Sequence, residues 1–250
     1  MLSTLFSNFS PIHMAAVLVL FVWTGFVRSG LGFGGAALGL PLLLLVFDQP
    51  VFWLPIIGMH LLVFSSLTVG KQLRDVDWHY LRRSAGWIFP AALVGVLGLI
   101  TLPNQWLVNF IYLVTLIYAV IWMMDWSILS KSGVLDRVFL ILGGYIAGTS
   151  LSGAPLLVAV YLRHVAKERL RNTLFVLWFI LVLMKLTAFA VLGVELNFLA
   201  ALVLLPAAAI GHVMGLWAHA QIVRNEKRFK RIIGGMLAVV SVLGLLGNLV

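Results

Sequence analysis

Arg28 and Ser29 precede four glycines, Gly30, Gly32, Gly34 and Gly35, in the otherwise lipid-soluble stretch FVRSGLGFGGAALGLPLL (Phe26 to Leu43). Glycines this dense break a helix, because each lowers the stability of a helix interior. A broken helix exposes unpaired N–H groups and about half a positive charge at each new N-terminus. Such an end suits an anion, and a guanidinium adds a planar fork of donors that matches an oxyanion. A second stretch, GTSLSGAP (Gly148 to Pro155), supplies the hydroxyls of Thr149, Ser150 and Ser152 beside Gly153. Lys185 lies well inside a long apolar run as the other deep cation. On translocon scales a deep cation costs roughly 2.5–3.5 kcal/mol, so each calls for an interior partner or role. No acidic residue falls at an evident midplane position beside them, which tips the balance toward anions.

Each of these residues also has a plainer reading. Gly30, Gly32 and Gly35 spell G-x-G-x-x-G, the dinucleotide fingerprint. That motif needs a preceding strand and a following acidic residue in a soluble βαβ unit, and neither surrounds it here. Single glycines also let helix backbones approach in lipid. Arg28 is either a substrate ligand or a structural side chain that snorkels or pairs. His60 and His212 fall inside apolar segments, where histidine either carries protons for coupling or bonds one helix to another. Ser152-Gly153 with His212 suggests a serine–histidine dyad of an intramembrane hydrolase or protease, but the expected G-x-S-G is missing. Glu195 sits at a short loop and reads as solvated.

The elements that carry these residues are set by composition. The chain has 250 residues, 62% hydrophobic and 10% charged, which calls for lipid as the solvent. The net charge of +9 comes from short basic clusters between apolar runs, the pattern of cytoplasmic loops rather than of nucleic-acid binding. There is no cysteine, so no disulfide framework or thiolate-bound metal is expected, and no cofactor either. No Lys or Arg precedes Arg28, so the start lacks the basic region of a signal peptide and is expected to remain as a membrane element.

Eight hydrophobic segments follow, at roughly 12–46, 51–70, 84–102, 106–124, 138–162, 172–194, 197–219 and 231–250. Their length and lack of period-2 alternation predict helices, hence an all-α polytopic membrane protein. Segments 12–46 and 138–162 are interrupted, at RSGLGFGG and GTSLSGAP. Basic residues cluster in 71–83, 125–137, 163–171 and 224–231, and are missing from the N-terminus, 47–50, 103–105, 195–196 and the C-terminal end. The positive-inside tendency places the first set in the cytoplasm and the second set, with both termini, outside. Each interrupted segment then enters and leaves on one face, as a re-entrant hairpin of two half-helices followed by three crossings. GFVRSGLGFGGA (Gly25 to Ala36) can be laid on GYIAGTSLSGAP (Gly144 to Pro155), with Gly25 on Gly144, Phe26 on Tyr145 and Gly34 on Gly153. Loop charge reverses at every equivalent loop. The expectation is one transporter domain over 1–250, built as an inverted repeat of 12–124 and 138–250. Two half-helix ends meeting at the midplane would form the anion site, with Pro155 in the first turn of its arm and Pro41 near the start of the other.

SGLGFGGAALGLPLLLL and GTSLSGAPLLVAVYL, with the all-helical character and duplicated halves, make the chain similar to the sulfite exporter TauE/SafE family of membrane transporters. The second motif departs from the family's usual form, having Ser150, Ser152 and Ala154 where more glycine is common. The resemblance implies export of small sulfur-containing anions, such as sulfite or organosulfonates, across a bacterial plasma (inner) membrane. It implies a secondary transporter rather than an enzyme, working by alternating access with proton or gradient coupling. No nucleotide-binding motif points to direct use of ATP. A passive anion channel is the remaining alternative.

Overall fold

The computed structural model describes residues 9–31, 35–69 and 73–248. Among these residues it is helical without strands: α1 (Pro11–Leu31), α2 (Gly35–Val46), α3 (Pro50–Val69), α4 (Trp78–Thr101), α5 (Asn104–Met123), α6 (Gly133–Ser150), α7 (Ala154–His164), α8 (Lys167–Val191), α9 (Phe198–Arg224) and α10 (Glu226–Gly247). Seven of them, all but α2, α6 and α7, are long and apolar enough to cross a membrane. The two segments read as interrupted are the ones that divide into two helices each.

Helix starts reach further into the basic clusters than hydropathy places them. α4 begins at Trp78 and so includes Arg82 and Arg83, and α8 begins at Lys167. α9 and α10 are separated by Asn225 alone. Lys and Arg are good helix formers whose charged heads reach water from a helix end, so they need no loop. Local signals fix several boundaries. The Asp77 carboxylate caps α4 by accepting from the Tyr80 amide at 2.9 Å, and Ser132 caps α6 by accepting from Leu135 N at 3.2 Å.

The chain divides into two compact units. The first comprises Met1–Ile57, Pro103–Trp126 and Asn197–Val250. In it α1 lies along α9, α2 folds back on α1, and α5 pairs with α10. Val27, Leu38, Ala119, Ile233 and Leu237 form a buried cluster there. An aromatic group of Phe9, Phe47, Phe52 and Trp53 closes the open end of the α1–α2 hairpin, with the Phe9 and Phe47 ring centroids 5.4 Å apart.

The second unit comprises Gly58–Leu102 and Ser127–Leu196. Here α6 lies along α4, α7 folds back on α6, and α8 packs on α4. Ile88, Leu140, Leu157, Val160, Leu177 and Leu181 belong to its buried core. Tyr161 and Ser84 share a buried hydrogen bond of 2.7 Å between α7 and α4.

Both pairings rest on glycine. In the first unit a methyl group at Gly25 would strike the Ala208 carbonyl oxygen, and one at Gly215 would strike that of Phe26 and crowd the Gly30 amide. In the second, Gly144 approaches the Ile88 carbonyl, and Gly95 approaches the Tyr145 carbonyl and the Thr149 amide. G-x-x-x-G spacings at Gly144/Gly148 and Gly211/Gly215 bring the backbones together, as small residues do in lipid.

Candidate functional site

α1 and α9 run parallel and in step: Val22 meets Gly211, Phe26 meets Gly215, and the Ile222 side chain reaches Gly30. At about 1.5 Å per residue, the 21 residues of α1 span roughly 31 Å, a full crossing length. The two half-helices expected of this segment are a long arm and a short one, since α2 has 12 residues. The second hairpin shares this inequality, with 18 residues in α6 and 11 in α7.

Arg28, Ser29 and Gly30 occupy the last turn of α1, and all three are buried. Ser29 Oγ lies 2.5 Å from His212 Nδ1. His219 Nδ1 lies 2.7 Å from the Gly30 carbonyl oxygen. A carbonyl only accepts, so His219 carries a proton on Nδ1. Gly35 opens α2, while Gly32 and Gly34 lie outside the described residues. Pro41 sits inside α2 rather than at its start. The Trp23 indole donates to the Leu38 carbonyl at 3.3 Å and ties the two arms together.

The second break is fully described. α6 ends at Ser150, and Leu151 takes the left-handed conformation at φ 59°. That conformation costs a residue with a Cβ roughly 1–2 kcal/mol, which the surrounding fold must offset. Its amide donates to the Ala147 carbonyl at 3.1 Å, closing the helix end. Pro155 then stands in the first turn of α7, as expected of a residue whose missing N–H would have no intrahelical acceptor there. Thr149 Oγ1 donates to the Tyr145 and Ile146 carbonyls, Ser150 Oγ to Ile146, and Ser152 Oγ to the Ser150 carbonyl. All three hydroxyl protons are engaged locally, so they reach a ligand only by rotating away from these bonds. Gly153 is held against the Gly143 carbonyl and leaves no room for a side chain.

Lys185 is 1% exposed on α8, and its Nζ has no hydrogen-bond partner among the described residues. His60 is also buried, on α3. The charged residues buried among those described are Arg28, Lys185 and Asp136. The acid is spoken for: Asp136 Oδ2 receives Arg163 Nη1 at 2.9 Å and meets His164 Nε2 at 2.8 Å, while Oδ1 accepts from Ser130 at 2.5 Å. Burial alone would raise its pKa, but these bonds and charges outweigh burial and hold the carboxyl below the usual range. Two of these three buried charged side chains are thus cations.

Hydropathy and motif reading misses two members of this arrangement, His219 and Asp136. His212, Gly215 and His219 follow one another at three and then four residues along one stripe of α9, a spacing visible in the sequence. Asp136 lies in the first turn of α6 and its partners in the last turn of α7, so only the fold brings them together.

Of the two residues read as a dyad, Ser152 donates to the Ser150 carbonyl and His212 bonds Ser29. No curated protein and no solved structure matches the chain. Residues 17–243, nearly its full length, match the family model described as Sulfite exporter TauE/SafE, and this multi-pass membrane protein belongs to that family.

Proposed function

We propose that the protein is a secondary transporter that exports small sulfur-containing anions, sulfite or an organosulfonate, across a bacterial plasma membrane. The observation that carries this reading is the burial of Lys185, whose Nζ has no hydrogen-bond partner among the described residues, in a chain of this family. Arg28 with Ser29, Gly30, Gly32, Gly34 and Gly35 supplies one set of anion-binding groups. Thr149, Ser150, Ser152 and Gly153 supply the other, with Lys185 as a second cation. An anion that neutralises Lys185 offsets the cost of burying its ammonium group, and departure of the anion restores that cost. Transport then follows from alternating exposure of the hairpins, with coupling to protons.

The shared glycine register supports an inverted repeat of 12–124 and 138–250. Phe26 and Gly30 stand to Gly215 as Tyr145 and Thr149 stand to Gly95, the same correspondence that aligning Gly25 with Gly144 gives. The basic ends of α4, α8 and α9 support a cytoplasmic location for those ends and an outside location for both termini. In the cysteine-free chain, single cysteines at Lys131 and Lys167 are then labelled from the cytoplasm alone. Labelling from opposite faces excludes a re-entrant second hairpin.

The decisive experiment is flux into proteoliposomes, with sulfite, sulfate, thiosulfate and a sulfonate as competitors. Saturable sulfite flux that follows an imposed gradient is expected. Flux that never saturates identifies a passive channel, and no flux with any of the four anions rejects the substrate class.

A further inference from the structure

We propose that His219 is a proton-binding residue that caps the end of α1, so that this end is held to α9 more firmly when His219 is protonated. The Gly30 carbonyl it holds lies in the last helical turn, where carbonyls lack intrahelical donors. The same bond forms from neutral His219, with its proton on Nδ1, and from the cation. Protonation at Nε2 therefore leaves the contact in place and makes it charge-assisted. It also puts a positive charge at the negative end of a helix dipole, where a partly buried histidine is most effective.

His219 is half-buried. The elements packed around this helix end carry these other ionisable groups. α2, which packs on α1, carries no titratable side chain between Gly35 and Val46. α1 brings Arg28, which stays charged. α9 itself brings His212, whose Nδ1 is engaged with Ser29, and the exposed Arg224. α10 begins with Glu226, Lys227 and Arg228, all exposed.

The second hairpin is the built-in control. Placing Gly215 on Gly95 puts Ala92 where α9 has His212 and Leu99 where it has His219. Its tip is closed by Leu151 and by hydroxyl-to-backbone bonds that do not titrate near neutral pH. The device thus belongs to one hairpin only. What the latch gates rests on the transporter reading above, but the proton site stands on geometry alone.

Hydrogen exchange of the purified protein in nanodiscs, without substrate, tests it directly. Amides of residues 26–31 are followed at about pH 5.5 and about pH 8, either side of the ordinary histidine range, and corrected for the intrinsic rate. Protection of this segment is expected to be about threefold higher at the lower pH, a cation at a helix end being a modest effect. His219→Gln, which can still donate to Gly30 but does not titrate, should show protection that is flat with pH. His219→Ala should lose protection at both. Residues 144–150 should be flat in every variant. Flat wild-type protection overturns the proposal, as does a response that survives His219→Gln or appears equally in 144–150. Absence of sulfite flux bears on the transporter reading and leaves these exchange outcomes unchanged.

Discussion

The two hairpins share a backbone plan and differ in what fastens them. Both have a long first arm, a short second arm and a partner helix approached through glycine. At the open end, α1–α2 is closed by Phe9, Phe47, Phe52 and Trp53, whereas α6–α7 is closed by Asp136 with Arg163 and His164. At the tip, α1 is held by two histidines on α9, while α6 is closed by bonds within its own chain segment. The shared plan is set by backbone approach, which tolerates little variation. The fastenings are side-chain choices, free to differ, and they make one tip proton-sensitive and the other end ionic.

The largest expected effect tests the shared plan. Gly215→Ala and Gly95→Ala should each destabilise the protein by about 3 kcal/mol, because a methyl group must displace backbone rather than a flexible side chain. Gly86→Ala and Gly235→Ala have open space and should be neutral or gain up to about 1 kcal/mol in helix propensity. Thermal unfolding in detergent checks all four. Equal losses at Gly215 and Gly95 sharpen the correspondence, and a loss at only one of them breaks it.

Lys185→Met comes next and acts in two directions. Removing a fully buried ammonium without a hydrogen-bond partner should raise stability by about 2 kcal/mol. Flux of sulfite should fall at least about tenfold if that charge binds the anion, a loss of about 1.4 kcal/mol in transition-state or binding energy. A variant that is more stable and fully active removes Lys185 from the substrate site.

Much of this plan is legible in the sequence, for reasons that differ by level. Broken segments are legible because glycine density and Pro155 act locally, through backbone entropy and a missing N–H. Gly25 and Gly144 each face a carbonyl on a parallel helix, a demand for a small residue that the sequence shows as glycine. The unequal arms are not legible, since nothing in the apolar run before Arg28 says how far a continuous helix reaches. Nor are the engaged hydroxyls of Thr149 and Ser150, because serine and threonine bond to a preceding carbonyl or to a ligand with equal ease. The Asp136 cluster depends on a return of the chain after 27 residues, and no local pattern encodes it.

Asp136→Asn tests the ionic fastening. It should cost about 1 kcal/mol, discounted because Arg163 is 38% exposed and screened by water. Since the carboxyl sits below its ordinary pKa when folded, its contribution is present above the unfolded value near about 3.9. It is lost as pH falls through the lower folded value. Wild type should therefore lose its advantage over Asp136→Asn in strongly acid buffer and keep it near neutrality, read from unfolding midpoints. A difference that persists unchanged in acid shows that the carboxylate charge is not what fastens α6 to α7.

The smallest effect concerns how each hairpin begins. Ser132 Oγ accepts from the Leu135 amide at 3.2 Å, and Ser10 Oγ accepts from the His13 amide at 3.3 Å. Both serines stand just before the first arm and bond an amide of the first turn, the usual task of an N-cap. Ser132→Ala should cost about 1 kcal/mol, a typical capping loss. Ser10→Ala should cost about 0.5 kcal/mol, the low end of that range, because the site is exposed and its hydroxyl also meets His13 Nδ1 at 3.0 Å. Hydrogen exchange at the first turns of α6 and α1 resolves losses of this size. A larger loss at Ser10 than at Ser132 means that the start of α1 carries more of its hairpin's stability than the start of α6 does. The aromatic closure at the end of α1 would then depend on the helix start as well as on its rings.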